Sequence, residues 1–352
     1  MKRKAFVLLS GSLICSLLLC ACSGSSGGSG QGGSDQTYQL TMTHHDPPTS
    51  ASGSYFAEWA ENIRNASNGR LDITIHPSGT IVNVTGALDA VKSGAADIAW
   101  VTTSVHEGQF PLVDVLTLPL FGIKTIPHAA NVLWSLYEEF EAVRDELSDF
   151  KILMMYSTGV YDFGTRDKPI RSLADMNGMQ MRVTNGTTGG LVTGWGGTPI
   201  YMPPSDVYEG MQKGVIDGYV WEFSGIDSFK LTELSNYYTI MRINVAPFIL
   251  MMSLDAWNNL PQDLQATLDS FATREISVEI ATRMQAFCVA GEENAAKAGG
   301  EIITLSDKDF EEFLVFPRQI VDEWVATRSA GGFDARAYLD RTLELIEQFS
   351  GT

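Results

Sequence analysis

Between Ser54 and Ile63 the apolar residues Phe56, Trp59, Ala60 and Ile63 recur at i, i+3, i+4 and i+7, which puts them on one face of a helix. Asn68-Gly69 stops that helix. Leu71-Asp-Ile-Thr-Ile-His76 then alternates apolar and polar positions, the period of a half-buried strand. After a Pro77-Ser78-Gly79 turn, Val84, Ala87, Leu88 and Val91 predict a second helix that ends at Ser93-Gly94. Asp97–Val101 follows as a short apolar strand. Strands that alternate with helices predict a mainly parallel sheet.

The plan recurs downstream. Met179–Val183 alternates as a strand, Thr184–Gly190 reads as a loop rich in Gly and Thr, and Val207, Tyr208 and Met211 mark a helix. Lys213-Gly-Val-Ile-Asp217 then leads into Tyr219-Val-Trp221, as Lys92-Ser-Gly-Ala-Ala-Asp97 leads into Trp100. In both copies a Gly stands three residues before the Asp and a Trp three or four after it. Two similar α/β lobes are expected. Beyond Pro261, Leu264, Leu268, Phe271, Ile276, Ile280, Met284 and Phe287 keep helical spacing towards Gly299-Gly300. That predicts one helix of about 38 residues, roughly 57 Å long, lying across both lobes. Two lobes joined in this way leave a cleft between them, a usual place for a ligand and for hinge closure.

The N-terminal pattern differs. Lys2, Arg3 and Lys4 precede an apolar run from Ala5 to Leu19, shorter than the roughly 20 residues of a spanning helix. The run has the form of a secretory signal. Leu19-Cys20-Ala21-Cys22 resembles a bacterial lipobox, which makes Cys22 the expected site of lipidation and residues 1–21 the signal peptide. Apart from Gln31, Ser23–Ser34 contains only Gly and Ser and cannot bury enough surface to order itself. As a coil, about 14 such residues reach roughly 20 Å, a tether over 22–36 between membrane and folded body.

Composition narrows the chemistry. Hydrophobic residues at 44% and charged ones at 19% are a globular balance. A net charge of −18 argues against nucleic acid and against attraction to an anionic bilayer. An anion would therefore need a local positive group. Cys288 is the only cysteine beyond the signal and lipobox, so no intramolecular disulfide is expected, and a packing role suits it. His44-His45 lacks a nearby third ligand and its side chains diverge along a strand, so no metal is expected. No cofactor is expected either, for no phosphate loop, dinucleotide fingerprint or Ser-His-Asp motif occurs.

Arg182 is the strongest candidate. Met181 and Val183 flank it and face the core, which turns Arg182 the other way at the carboxyl end of a strand, where open α/β sheets bind ligands. A guanidinium there offers a carboxylate two parallel hydrogen bonds. Position alone allows a second role, a structural ion pair with an Asp.

Several motifs together resemble the substrate-binding proteins of TRAP transporters, the tripartite ATP-independent uptake systems. They are Pro169–Val183, Gly197–Tyr208, Gly214-Val-Ile-Asp-Gly218, His76-Pro-Ser-Gly79, Gly94-Ala-Ala-Asp97, Leu118-Pro-Leu-Phe121 and Leu260-Pro-Gln-Asp-Leu-Gln265. The resemblance runs from Tyr38 to the end of the long helix. It implies a two-lobe periplasmic-binding-protein-like fold, with 37–158 plus about 247–285 as one lobe and 159–246 plus about 286–352 as the other. It also implies an extracytoplasmic receptor, lipid-anchored to the membrane, that delivers a small organic acid to permease subunits. A ligand-presenting sensory receptor and a secreted enzyme are the alternatives.

By the same resemblance Arg182 is the carboxylate clamp and Asn185 a ligand contact, and Trp221 favours a ligand with a flat or apolar body. Tyr161 stands where some members carry a second Arg, which counts against a dicarboxylate. Val220 replaces the acidic residue before the Trp, and Glu222 lies on its far side. The first lobe is expected to contribute from Thr43, His44 and His45 and from Trp100, Thr102 and Thr103, with His44 and Thr102 foremost. Trp100 suits core or cleft equally, and Tyr208 and Tyr219 are assigned to the core.

Overall fold

The computed structural model describes residues 36–119 and 122–350. The signal, Cys22, the Gly/Ser tether and the end of the Leu118–Phe121 motif lie outside them.

The first lobe is built from β1 (Tyr38–Thr43), α1 (Ala51–Ala66), β2 (Leu71–His76), α2 (Ala87–Ser93), β3 (Ile98–Thr102), α3 (Ile126–Glu139), α4 (Glu141–Glu146) and β4 (Phe150–Val160). The chain then enters the second lobe through β5 (Asp162–Thr165), β6 (Gln180–Val183), α5 (Gly186–Gly194), β7 (Thr198–Tyr201), α6 (Val207–Lys213), β8 (Gly218–Trp221), α7 (Phe223–Ser228) and β9 (Tyr237–Ile240). It returns through β10 (Val245–Ser253), α8 (Leu254–Asn258), α9 (Gln262–Asp269) and α10 (Arg274–Lys297), and ends with β11 (Glu301–Thr304), α11 (Asp307–Phe313), α12 (Val315–Ser329) and α13 (Ala335–Gln348).

The five-stranded first sheet has the order β2-β1-β3-β10-β4 and the six-stranded second sheet β11-β9-β5-β8-β6-β7. In the first, β2, β1 and β3 run parallel while β10 is antiparallel to β3 and β4. In the second, β7, β6 and β8 run parallel. This is the expected two-lobe α/β architecture, and the internal repeat is physical. Gly94 and Gly214 both take left-handed backbone at the C-caps of α2 and α6, with φ of 74° and 70°, a conformation that favours glycine. The Asp97 carboxylate accepts the Thr41 N–H of β1 at 2.7 Å, and the Asp217 carboxylate accepts the Gln180 N–H of β6 at 2.8 Å. In each lobe the Asp after the second helix thus pins the neighbouring strand in register.

The two sheets meet where β4 gives way to β5 at Tyr161 and where β9 gives way to β10 over Met241–Asn244. There the Tyr161 N–H donates to the Asn244 carbonyl and the Ile243 N–H to the Tyr161 carbonyl, both at 2.9 Å. Buried Asp162 accepts the backbone N–H groups of Met241 and Arg242 at 2.7 and 2.8 Å. These bonds lock the crossing strands together.

Three expectations need correction. The single helix after Pro261 is two helices, α9 and the 24-residue α10, the latter about 36 Å long. Apolar periodicity continues through the break, but hydroxyls interrupt the backbone. The Ser270 hydroxyl donates to the Thr267 carbonyl at 2.6 Å, and Thr273 caps α10 by accepting the Ile276 N–H at 3.3 Å. The freed Phe271 carbonyl accepts the Trp59 indole N–H of α1 at 3.0 Å. α10 still packs on α1, α3 and β4 and on α7 and β11, so it does lie across both lobes. Secondly, the second lobe does not keep the C-terminus. Tyr338, Leu339, Leu345 and Ile346 of α13 join the core that contains Val132, Leu133 and Leu136 of α3. Thirdly, Tyr208 is only partly buried, with its hydroxyl on Glu233 at 2.8 Å, whereas Tyr219 is in the core.

Candidate ligand-binding site

The carboxyl ends of the parallel strands of both sheets converge on one cavity of about 370 Å³, a size that suits a small molecule. The first lobe supplies His45 and Asp46 after β1, Val84 and Thr85 beyond β2, and Trp100 and Thr102 on β3. The second supplies Arg182 and Thr184 from β6, Tyr201 to Pro204 from β7, and Trp221 and Glu222 from β8. Phe248 of β10, Met284 of α10 and Tyr161 at the crossing complete the walls.

Arg182 is wholly buried. Its Nε donates to the Met202 carbonyl at 3.1 Å, and its guanidinium carbon stands 4.1 Å from the centre of the Trp221 ring. The carbonyl fixes one edge of the guanidinium and the indole its plane. Among the described residues Nη1 and Nη2 have no partner, so the structural ion pair that its position allowed is not formed there. Burial lowers its pKa to about 10, which leaves it charged at neutral pH. An unpaired buried charge is costly, and the free fork matches a carboxylate.

The facing wall is aromatic. Trp100 stacks on Phe248 at 4.4 Å and on His45 at 4.8 Å between ring centres, while across the cavity Trp221 stacks on Phe229 at 5.2 Å. Trp100 therefore serves core and cleft together. Burial first, and then the nearby Arg182, lowers the His45 pKa to about 3, so its ring is neutral; its Nδ1 has no partner among the described residues.

Glu222 is buried at the start of α7. Its Oε1 accepts the Ser224 hydroxyl at 3.2 Å, and its Oε2 has no partner among the described residues. A Cβ on Gly159 would lie 2.3 Å from the Glu222 Cβ, so glycine at 159 makes room for this carboxyl. Burial above all raises its pKa to about 8. Tyr161 is buried, and burial above all raises its pKa.

The structure thus brings together Arg182, Trp221, Thr102, Tyr161 and Glu222, and leaves the expected contacts Thr43, His44, Thr103 and Asn185 off the cavity. Asn185 is not on the cavity. It is the N-cap of α5, its side-chain oxygen accepting the Thr188 N–H at 2.9 Å, because the stretch expected as a Gly-rich loop is itself the helix Gly186–Gly194. His44 points away to Phe56, 5.4 Å between ring centres, and burial lowers its pKa to about 4. The first-lobe imidazole on the cavity is His45. Thr103 also turns away, to Asp114 at 2.6 Å. Cys288 is half-buried, its thiol against the Thr158 carbonyl at 3.4 Å, and burial raises its pKa to about 12, which suits packing.

Sequence reasoning missed Asp46, Tyr201, Phe248 and Met284. The carboxyl-end rule, applied to every parallel strand, finds Asp46 and Tyr201. Phe248 and Met284 carry no such signal, since they enter from a distant antiparallel strand and from a helix.

The profile of bacterial extracellular solute-binding proteins, family 7 (DctP), matches residues 42–327. The chain belongs to this family. Among similar structures are TRAP solute-binding proteins. One, from Rhodoferax ferrireducens and in complex with copurified benzoate, is 25% identical with a TM-score of 0.83, covering 89% of this chain and 99% of its own. Another, from a marine metagenome, is described as specific for aromatic acid ligands and carries 3-hydroxybenzoate. It is 26% identical with a TM-score of 0.83, covering 90% of this chain and 99% of its own. The 2,3-diketo-L-gulonate-binding periplasmic protein of Escherichia coli is 23% identical over 72% of this chain and 77% of its own. Solute-binding proteins of this family are extracytoplasmic. Among the described residues no helix is long and apolar enough to cross a membrane.

Proposed function

We propose that this solute-binding protein is the receptor of a TRAP-type uptake system for a flat, preferably aromatic monocarboxylate. Its carboxylate would take the free fork of Arg182, and its apolar body would lie against Trp100, Phe248 and Trp221. The observation that carries this reading is a buried guanidinium that no acidic side chain among the described residues pairs with, beside an aromatic cavity. The acids in the benzoate and 3-hydroxybenzoate complexes of its relatives agree with it. Membership of the family supplies the partner, a membrane permease that receives the ligand. The receptor binds without turnover, and the lipobox at Cys22 attaches it to the outer face of the cell membrane.

A thermal-shift screen followed by calorimetry tests this reading. Benzoate, 3-hydroxybenzoate or mandelate is expected to raise the melting temperature and be recovered unchanged, while succinate and methyl benzoate bind weakly. Tighter binding of succinate or of a neutral sugar would overturn it. Cys22→Ser is expected to release the protein from membranes.

A further inference from the structure

Glu222 borders the same cavity as Arg182 yet makes no ion pair with it. Of its two oxygens, Oε1 is already an acceptor for the Ser224 hydroxyl, and Oε2 is buried without a partner among the described residues. The groups that face this carboxyl come from four elements: Arg182 from β6, Asp46 from the loop after β1, Tyr161 from the crossing and Cys288 from α10. Asp46 has its own partners, since its Oδ2 accepts the hydroxyls of Ser50 at 3.4 Å and Ser52 at 3.0 Å. Tyr161 and Cys288 are neutral, burial being the main cause in both. When an anion occupies Arg182 the two charges cancel. An ionised Glu222 would then add a buried negative charge without a counterion, which is strongly unfavourable.

We propose that Glu222 acts as a neutral carboxylic acid that donates its Oε2 hydrogen to the bound ligand, so that the cleft takes up a monoanion with one proton and rejects dianions. The proposal rests on Arg182 being the carboxylate partner. The hydrogen belongs on Oε2 because Oε1 is engaged as an acceptor, and an O–H donor to a carboxylate is among the stronger hydrogen bonds. Burial above all already holds the Glu222 pKa at about 8 in the free protein, and an anion on Arg182 raises it further by removing the attraction of the guanidinium. Below that pH the proton is in place before the ligand arrives. Above it, each ligand must bring one.

The test uses whichever of benzoate, 3-hydroxybenzoate and mandelate binds the intact protein most tightly, titrated calorimetrically from pH 6 to 9. The expected Kd is constant to about pH 7.5 and then rises towards tenfold per pH unit, the slope of one linked proton. At pH 8.5, buffers of different ionisation enthalpy should report uptake of roughly half to one proton per ligand. Glu222→Gln keeps a donor in place and is expected to bind within about threefold of wild type at pH 7, with a flat pH profile. Glu222→Ala should weaken binding about tenfold, the loss of one such hydrogen bond. Asp46→Asn should keep the proton uptake but move the rise in Kd to lower pH, because the Asp46 charge helps to hold the Glu222 pKa up. Zero proton uptake by the wild type, or a Gln variant as weak as the Ala variant while equally folded, overturns the proposal and leaves Arg182 standing. If Arg182→Ala leaves acid binding unchanged, or no acid binds at all, the Arg182 reading fails and this proposal with it.

Discussion

The two lobes carry the same local device and use it differently. In each, a left-handed glycine ends a helix, an Asp three residues later pins the neighbouring strand, and a Trp follows on the next strand. Over Trp100 the first lobe lays His45, a neutral imidazole. Over Trp221 the second lobe lays Arg182, a permanent charge. The comparison separates what the scaffold requires from what binding requires. The Gly-x-x-Asp frame positions a platform, and the group stacked on that platform decides whether the wall attracts an anion or only covers one. With the positive charge on one side alone, a ligand with a single acidic end has one preferred orientation.

The largest effect should come from removing that asymmetry. Arg182→Ala is expected to weaken acid binding by about 2–5 kcal/mol, roughly thirtyfold to several-thousandfold, and to leave folding intact. Arg182→Lys should recover only part of the loss, since an ammonium cannot make two parallel bonds. Calorimetry and melting curves check both. A variant that unfolds would mean that Arg182 supports the core.

The first-lobe histidines should show their neutrality in the pH dependence of stability. Burial, the main cause in each, keeps the folded-state pKa of His44 at about 4 and of His45 at about 3. In the unfolded chain both take up protons near pH 6.5. Their contribution is therefore fully present above about 6.5 and is lost as pH falls towards 4, by about 2 kcal/mol for each residue at pH 5. Replacing both by Gln should flatten the acid limb of a denaturation series. An unchanged limb would assign acid sensitivity to other groups.

The smallest effect tests the repeat itself. Asp97→Ala and Asp217→Ala each orphan one strand N–H and should cost about 1–3 kcal/mol, similar in size for the two lobes. Denaturant titration measures this. A large loss in one lobe and none in the other would show that the copies share a motif but not its mechanical role.

These contrasts also explain what was legible beforehand. The frame was readable because its parts are local: a turn glycine, a capping pattern and alternating strands. Arg182 was readable because it lies within a strand, where alternation fixes its face. His45 lies two residues beyond β1, where alternation has lapsed, so its neighbour His44 was favoured. Asn185 is a ligand contact by resemblance alone, and no pattern in this chain shows that its carboxamide instead caps the helix that opens at Gly186. The break at Ser270–Thr273 was hidden because apolar spacing persists while hydroxyls take over the backbone bonds.

The C-terminal helices carry a mechanical consequence. α12 begins with Phe316 against Gly194 of α5, in the second lobe, and ends with Trp324 stacked 6.3 Å from Tyr338, whose hydroxyl bonds Leu112 in the first lobe at 2.9 Å. Together with the crossings at Tyr161 and Met241–Asn244 and with α10, this makes a fourth link between the lobes. Two bodies joined by a single tether can twist, slide and tilt. Each added link removes one of those freedoms, and four leave little beyond an opening angle. If the lobes close on a ligand, Arg182 and Trp100, carried by opposite bodies, would return to the same mutual alignment each time, as the two jaws of a hinged clamp do.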